Sequence, residues 1–205
     1  MTTQDLNYDQ QMIKLTDVCG NEHAKRAVEV AAAGDHSIEF IGAFESQASD
    51  LCALARKLGV KARAVAPCPC GHFGDPVREC TCETQMIARH RRQVFGAERE
   101  FDITVEVSIP HADRIVRWMN SGYAEGEPDE VVMERVRKAL AAPAVSWQLD
   151  ATSLSLLKTA ITQLALSPAQ VMGVTRVAAT IARLSGSDHL GVAHVAEAIQ
   201  YRRKT

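Results

Sequence analysis

The sequence contains no long apolar run, and this absence excludes a membrane-spanning protein at the outset. No stretch of about 18 apolar residues occurs in the chain. The N-terminus has no basic flank followed by an apolar stretch, so we do not expect a secretory signal either. The expectation is a cytoplasmic protein with no membrane partner, in which the six cysteines are thiols or metal ligands rather than disulfides.

Familiar catalytic motifs are missing as well. The histidines show no spacing such as H-E-x-x-H, and no G-x-S-x-G motif presents a nucleophilic serine. Cys19 and Cys52 are isolated, which favours small buried hydrophobic side chains over nucleophiles. What remains is an ordinary globular composition of 205 residues, 46% apolar and 23% charged.

The stretch IGAFESQAS keeps only the outline of a phosphate-binding loop. Gly42 and Ser49 fit the frame G-x-x-x-x-G-K-[ST], and an apolar run precedes them. Gln47 stands in place of the second glycine, and Ala48 stands in place of the lysine. Such a loop binds phosphate through backbone amides and an ammonium group, so we expect severely weakened binding here. On the spacing alone, the alternative is a chance turn.

Hydrophobic periodicity predicts a strand–helix–strand unit in the first third of the chain. A helix over 20–34 precedes a buried strand over 37–42. A second helix over 49–59 then leads to a strand over 60–67. Because such a unit suggests a parallel pair of strands, an α/β fold is expected. The clearest strand is 101–109, where apolar and polar residues alternate.

The rest of the chain is predicted to be mainly helical. Residues 83–96 are predicted to form a short basic helix, whereas 110–128 show no clear pattern and end in a predicted loop. An amphipathic helix over 129–142 is followed by a linker over 143–148. From Leu149 onward the pattern is all-α, and the pair Ser167-Pro168 is typical of a helix start.

The strongest local signal is a pair of cysteine pairs, Cys68-x-Cys70 and Cys80-x-Cys82, in a loop rich in glycine, proline and aspartate. In a reducing setting two such pairs can converge on a tetrahedral zinc ion, because thiolates are soft and anionic. The one-residue spacing is shorter than usual, and His72 can replace one thiol. A zinc site here would staple the loop without an open catalytic position, and free thiols in a turn are the alternative.

Basic residues exceed acidic ones in two segments, 61–99 and 151–205. Phosphate attraction is the main non-specific term in nucleic-acid binding, so both segments are candidate DNA surfaces. The alternative to a DNA surface is an ordinary solvated surface with a local excess of positive charge. The candidate nucleic-acid contacts are Arg89, Arg91 and Arg92 in the first segment and Arg202 and Arg203 in the second.

Several segments together resemble the ComM/YifB proteins, which are relatives of the magnesium chelatase ATPase subunit. The segment APCPCGHFGDPVRECTC is similar to the cysteine-rich N-P-C-P-C-G stretch of that family, and EAIQYRR is similar to its C-terminal ending. The likeness follows the family's order over most of 15–205. The other similar segments are 17–42, 85–96, 101–110, 130–140 and 166–203.

This resemblance implies a ring-forming AAA+ ATPase, and ComM itself acts as a DNA helicase, but the chain departs from the family where ATP chemistry should sit. Glu45 and Gln47 replace glycines of the phosphate loop, and Ala48 replaces its lysine. The stretch expected after Leu58, with the acidic magnesium-binding (Walker B) strand and the pore loops, is missing. The family's γ-phosphate-sensing asparagine, its arginine finger and its two lid arginines fall on Ala66, Glu100, Ala169 and Ala179.

The resemblance also implies the architecture. We expect a reduced AAA+ (P-loop NTPase-like) core with about three strands, followed by a C-terminal helical lid-like domain. The sheet edge would need covering by a loop, a helix or a second copy of the chain. The expected parts are a tail at 1–14, the core at 15–110 with its cysteine-rich loop at 67–83, connecting helix and loops at 111–148, and the helical domain at 149–205.

The losses share one chemical theme while the packing residues remain, so we expect a protein that is not an enzyme. The first hypothesis is a zinc-stapled protein with a DNA-associated or scaffold role, with zinc as cofactor and without ATP. One alternative is a regulatory partner of a full-length AAA+ relative. Another is a protein that still binds ATP, and a second copy of the chain is a further candidate partner.

Overall fold

Residues 13–95 and 101–202 are described by a computed structural model and contain eight α-helices, a short 3-10 helix at Leu15–Asp17 and five strands. None of these helices is long and apolar enough to cross a membrane. The helices are α1 (Glu22–Gly34), α2 (Ala48–Lys57), α3 (Thr84–Phe95), α4 (Ala112–Asn120), α5 (Asp129–Ala141), α6 (Ala151–Leu164), α7 (Pro168–Leu184) and α8 (Val192–Gln200). The strands are β1 (Ile38–Gly42), β2 (Ala62–Val65), β3 (Ile103–Val107), β4 (Ser146–Leu149) and β5 (His189–Leu190).

Three of the strands form a parallel sheet in the order β2-β1-β3. In the central strand, Phe40 pairs with Ala64 on one side and with Val105 on the other. The predicted strand–helix–strand unit is confirmed, because β1 and β2 are parallel neighbours joined through α2. The expectation of a reduced α/β core with about three strands is confirmed as well.

One face of this sheet carries the hydrophobic core. Ile38 and Phe40 of β1 and Ile103 of β3 are fully buried there, beneath α1 and α2. Because α1 presents a stripe of alanine and valine, its backbone can approach the sheet closely. The same core includes Val177 and Ile181 of α7. The C-terminal helices therefore share this apolar interior, with α7 packed against α1.

The opposite face of the sheet carries a row of polar side chains. Glu39 is fully buried and lies in register with Arg63 on β2 and Thr104 on β3. The Nε atom of Arg63 donates to Glu39 Oε1 at 2.5 Å, and the guanidinium lies 4.8 Å from the ring centre of Phe101. Arg63 also donates to the carbonyl of Val94 at 3.0 Å. Polar contacts therefore hold α3 beside this face.

The outer edge of β3 is covered by the chain itself. The backbone N–H of Thr104 donates to the carbonyl of Tyr201 at 2.7 Å, just after α8. The Nε2 atom of His23, on α1, lies 2.7 Å from the carbonyl oxygen of Glu106. An open edge strand is a template for unwanted pairing, and these contacts block it.

The start of α7 has the caps that the sequence predicts. The Oγ atom of Ser167 accepts a hydrogen bond from the backbone N–H of Gln170, and the Gln170 side chain accepts one from the backbone N–H of Ser167. Pro168 occupies the first turn, where a missing N–H costs nothing. Two orphan donors of the helix end are thereby satisfied.

Two parts of the chain differ from the sequence prediction. Residues 110–128, which show no clear pattern, contain the helix α4. Residues 143–148, expected to be a linker, contribute β4, which pairs in parallel with β5. The prediction that the chain is all-α after Leu149 is therefore wrong at β5. Strands of four and two residues are too short to show alternation.

Candidate metal centre and phosphate-loop position

The four cysteines of the loop after β2 converge on one point. The Sγ atoms of Cys68 and Cys70 lie 3.4 Å apart, and those of Cys70 and Cys80 lie 3.6 Å apart. The Sγ atom of Cys80 lies 3.7 Å from that of Cys68. With Cys82, the four sulfurs lie within 4.8 Å of one another. The structure therefore brings together all four residues of the predicted metal site.

The spacing of these sulfurs fits a tetrahedral metal ion. A zinc–sulfur bond of about 2.3 Å places the sulfurs of a regular tetrahedron about 3.8 Å apart. The backbone N–H of Phe73 donates to the Cys68 Sγ atom at 3.3 Å. Hydrogen bonds of this kind orient the ligands of a metal site and offset thiolate charge. The group can therefore hold a metal ion.

His72 does not join the sulfurs. Among the described residues, the group of potential ligand atoms consists of the four cysteines. The Nδ1 atom of His72 instead lies 3.6 Å from Asp75 Oδ2. The other oxygen of Asp75 accepts hydrogen bonds from the backbone N–H groups of Val77 and Arg78, at 2.8 and 3.0 Å. The loop geometry thus favours four thiols over three thiols and an imidazole.

The pKa values of Cys70 and Cys80 are shifted in opposite directions. A hydrogen bond from the backbone N–H of His72 is the main cause that lowers the pKa of Cys70 to about 5. The backbone N–H of Cys82 has the same effect at Cys80, but lost hydration and the neighbouring sulfurs outweigh it and raise the pKa of Cys80 to about 12. A divalent cation would remove this difference, because it favours the thiolate at every ligand.

The two isolated cysteines are buried, as predicted. Cys19 lies just before α1, and Cys52 lies within α2. Burial raises the pKa of both thiols. A buried thiol with a raised pKa is a poor nucleophile, so these side chains act in packing.

The phosphate-loop position is docked onto the cysteine loop. The backbone N–H of Phe44 donates to the carbonyl of Gly71 at 3.0 Å. A Cβ atom at Gly71 would come within 2.1 Å of the Phe44 ring, and the φ angle of +79° also requires glycine there. Arg78 forms an ion pair with Glu45 at 2.5 Å. The carboxylate that replaces a loop glycine is thus bound to the cysteine loop.

Gln47 fills the place of the second loop glycine with an amide that binds the N-terminal segment. Its Oε1 atom accepts a hydrogen bond from the backbone N–H of Cys19 at 2.7 Å, and its Nε2 atom donates to the carbonyl of Asp17 at 3.2 Å. Ala48 is buried at the start of α2, and Ser49 is exposed. The lysine position therefore faces the protein interior and carries no charge.

Gly42 lies at a tight turn where a side chain would not fit. A Cβ atom at this position would lie 2.2 Å from the Oγ atom of Ser46 and 2.8 Å from the carbonyl oxygen of Val107. The Ser46 hydroxyl donates to the carbonyl of Ala43 at 2.6 Å, inside the loop. The Ser46 hydroxyl is thus satisfied inside the turn, whereas Phe44, Glu45 and Gln47 bind partners outside it.

The predicted basic residues lie in two places. Three of them share the exposed side of α3: Arg89, Arg91 and Arg92. The guanidinium of Arg91 lies 5.2 Å from the ring centre of Phe73, beside the cysteines. Arg202 lines a different cleft, of about 490 Å³, along β3. Arg203 lies outside the described residues.

Sequence reasoning missed two aromatic residues at this end of the molecule. Phe44 is 65% exposed and Phe73 is 42% exposed, although both lie next to the cysteine loop. A signal was available, because only 5% of the chain is aromatic and these two residues lie within the two motifs. Exposed rings beside arginines form a surface on which planar groups can stack.

A three-stranded parallel sheet, a tight glycine turn after its central strand and a helical C-terminal part define a reduced AAA+-like core. The chain belongs to the magnesium chelatase family. The model described as "Magnesium chelatase, subunit ChlI" matches residues 14–59 and 55–115. The model described as "Magnesium chelatase, subunit ChlI C-terminal" matches residues 130–202. No curated protein matches the sequence at a significant level.

The two segments matched by the first family model meet at residues 55–59, at the end of α2. This is where the resemblance predicts that the Walker B stretch is missing. Glu100, at the predicted arginine-finger position, lies outside the described residues. The loss of ATP hydrolysis stays a prediction.

Proposed function

We propose that this protein is a non-catalytic member of the magnesium chelatase family that carries a structural zinc ion and associates with DNA. The observation that carries the proposal is the use of the phosphate-loop position as a docking element. Phe44 and Glu45 contact the cysteine loop, and Gln47 contacts the segment before α1. A loop committed to these contacts has few polar groups left for a nucleotide.

The electrostatics of the loop argue in the same direction. A phosphate loop stabilises its ligand with an ammonium group and converging backbone N–H groups. Ala48 supplies no charge, and Glu45 places a carboxylate next to the position of the phosphates. Even with Arg78 beside it, that carboxylate would repel an incoming triphosphate.

The proposed zinc ion has a structural role. Four cysteine ligands close a tetrahedral site, whereas a catalytic zinc ion keeps one position for water. The loop buries few apolar residues of its own: of 67–83, only Pro67, Cys68 and Gly71 are buried. Metal ligation would therefore supply the stability that packing does not.

The proposed DNA surface is the exposed side of α3. Three arginines lie within one turn of that helix, and the cation of Arg91 is stacked on Phe73. Each arginine that neutralises a phosphate releases counterions, so binding should weaken as salt rises. The zinc-stapled loop would hold Phe73, and through it this face of the helix.

The decisive experiment measures binding of short single- and double-stranded DNA against salt, with zinc content and ATP binding on the same preparation. We expect about one zinc per chain, no ATP binding below millimolar concentration, and salt-dependent DNA binding. Replacing Arg89, Arg91 and Arg92 by alanine should flatten the logarithmic salt slope by about 2 to 3. The matched control replaces the exposed Arg137 and Lys138 of α5 by alanine.

The arms of this experiment separate the parts of the proposal. DNA binding that is absent at low salt, or equal in the two variants, overturns the proposed surface on α3. Sub-millimolar ATP binding overturns the assignment of the loop as non-functional. Zinc well below one equivalent without chelator treatment overturns the metal site.

A further inference from the structure

The helix α4 packs with its polar side toward the protein. Arg114 and Trp118 are the half-buried residues of this helix, and every other residue in it is exposed. The Nη2 atom of Arg114 lies 2.9 Å from Glu125 Oε1 and 3.2 Å from Glu22 Oε1. The indole N–H of Trp118 donates to the carbonyl of Thr16 at 3.4 Å. These contacts fix which side of α4 faces outward.

The outward side of α4 is apolar. Its members recur at helical spacing, and the bulky ones are 39 to 51% exposed: Ala112, Ile115, Val116 and Met119. Tyr123, just after the helix, is 55% exposed, and its ring makes an edge contact with Trp118 at 5.0 Å. An amphipathic helix normally buries such a stripe, and an exposed apolar patch with a polar rim marks an interaction surface.

The rim of this patch carries charges of both signs. Asp113 and Arg117 are exposed, lie four residues apart and border the same edge of the apolar stripe. If two copies of α4 pair in antiparallel orientation around Ile115, Asp113 of each copy faces Arg117 of the other. A two-fold interface must be complementary to itself, and this order of charges meets that condition. A partner surface of a single charge sign would attract one of these two side chains and repel the other.

We propose that the apolar side of α4 is a self-association surface, through which two copies of the chain pair by antiparallel packing of α4 on α4. The nine residues of α4 span only about 14 Å, so the contact is small and the dimer is weak, with a dissociation constant in the range of about 10 to 100 µM. The proposal does not depend on zinc, DNA or the loss of ATP chemistry.

The test is sedimentation of the full chain between about 5 and 500 µM, a range that brackets the affinity expected for a small interface. The wild-type protein should change from monomer to dimer. Ile115→Asp should weaken association at least about 10-fold, because it places a charge at the two-fold axis. The matched control is Met172→Lys, which changes a 66% exposed apolar residue on α7 and should leave association unchanged.

Charge reversals test the antiparallel geometry. Asp113→Arg and Arg117→Asp should each weaken association about 3- to 10-fold, because each places like charges opposite one another. The double variant should return to within about 3-fold of wild type, since both pairs are then restored in reverse. Helix content and unfolding temperature, measured for each variant, identify any protein that has lost its fold.

Three results would overturn the proposal. One is a folded chain that stays monomeric at every concentration, whether α4 then serves a different protein or none. Another is a dimer that Ile115→Asp does not weaken, because its surface would lie elsewhere. A third is a folded double variant as weak as the single reversals, which would exclude the antiparallel pairing.

Discussion

The apolar face of the sheet and the loop end of the molecule, which comprises 42–49 and the cysteine loop 67–83, are stabilised by different interactions. At the apolar face, Phe40 is fully buried among helices and strands. At the loop end, Phe44 is 65% exposed, although it lies only four residues further along the chain. The first region is stabilised by hydrophobic burial, and the second by backbone hydrogen bonds, an ion pair and a cluster of thiols. The fold can therefore persist while the loop end changes its chemistry.

The predicted replacement of phosphate-binding residues falls in the loop end, away from the core. The helix and strand residues that form the core are separate from the loop residues that would face a nucleotide. Glu45 and Gln47 make contacts to the cysteine loop and to the segment before α1, so each side chain has a structural partner.

The largest expected difference in stability between the two regions comes from truncating the two phenylalanines. Phe40→Ala should lower the free energy of unfolding by about 3 to 5 kcal/mol, because it removes a fully buried ring and leaves a cavity. Phe44→Ala should cost less than about 1 kcal/mol, since most of that ring already faces water. Chemical denaturation of both variants measures the two costs. Equal costs would show that the loop end shares the stability of the core.

Removal of the proposed zinc ion should affect the loop end selectively. Cys80→Ser should abolish stoichiometric zinc binding and expose 67–83 to proteases, while the core loses less than about 2 kcal/mol. Cys52→Ala is the control, because it removes a thiol from α2 and should leave the zinc content unchanged. Metal analysis and limited proteolysis report the two regions separately. Unfolding of the whole chain on loss of zinc would contradict the separation.

Gln47→Ala should have a smaller effect on stability. It removes one hydrogen bond to the Cys19 N–H and one to the Asp17 carbonyl, and we expect a cost of about 1 to 2 kcal/mol. Gln47→Glu is the informative companion, because it keeps the acceptor for Cys19 and turns the donor into a second acceptor facing Asp17. Denaturation midpoints should rank wild type above both variants. A Gln47→Ala protein as stable as wild type would show that the two hydrogen bonds of Gln47 contribute nothing to stability.

The sequence predicted those features that carry a local pattern. β1, β3 and α7 each show a clear apolar period, and the two cysteine pairs were recognised from their spacing. The contacts that define the loop end were not predictable, because the partners of Gln47 lie 28 and 30 residues away. The helix α4 was missed for a related reason: its apolar stripe points outward, in a segment flanked by proline and glycine. Hydrophobic periodicity predicts that a helix has an apolar side, but it does not predict what that side contacts.

The smallest expected effect is a pH dependence of stability at the contact between His36, just before β1, and Thr180 of α7. His36 is buried, and its Nε2 atom lies 2.8 Å from the Thr180 Oγ atom. Burial lowers the pKa of His36, and Arg176 and Arg183 act in the same direction, against Asp102. The unfolded chain takes up this proton near pH 6.5, before the folded chain does. Its contribution is therefore complete above that pH and declines as the pH falls toward the folded pKa, by at most about 1.4 kcal/mol per unit.

The measurement is the denaturation midpoint between about pH 5 and 7.5, the window in which histidines titrate. His36→Gln should reduce the slope, because glutamine can keep the contact with Thr180 but takes up no proton. His194, whose pKa burial also lowers, contributes in the same direction, so the double variant with His194→Gln should remove the remainder. The exposed His111, replaced by glutamine, is the control. If the denaturation midpoint of the double variant depends on pH as steeply as that of wild type, the titrating group lies elsewhere. The contact between His36 and Thr180 would then be as insensitive to pH as the apolar core.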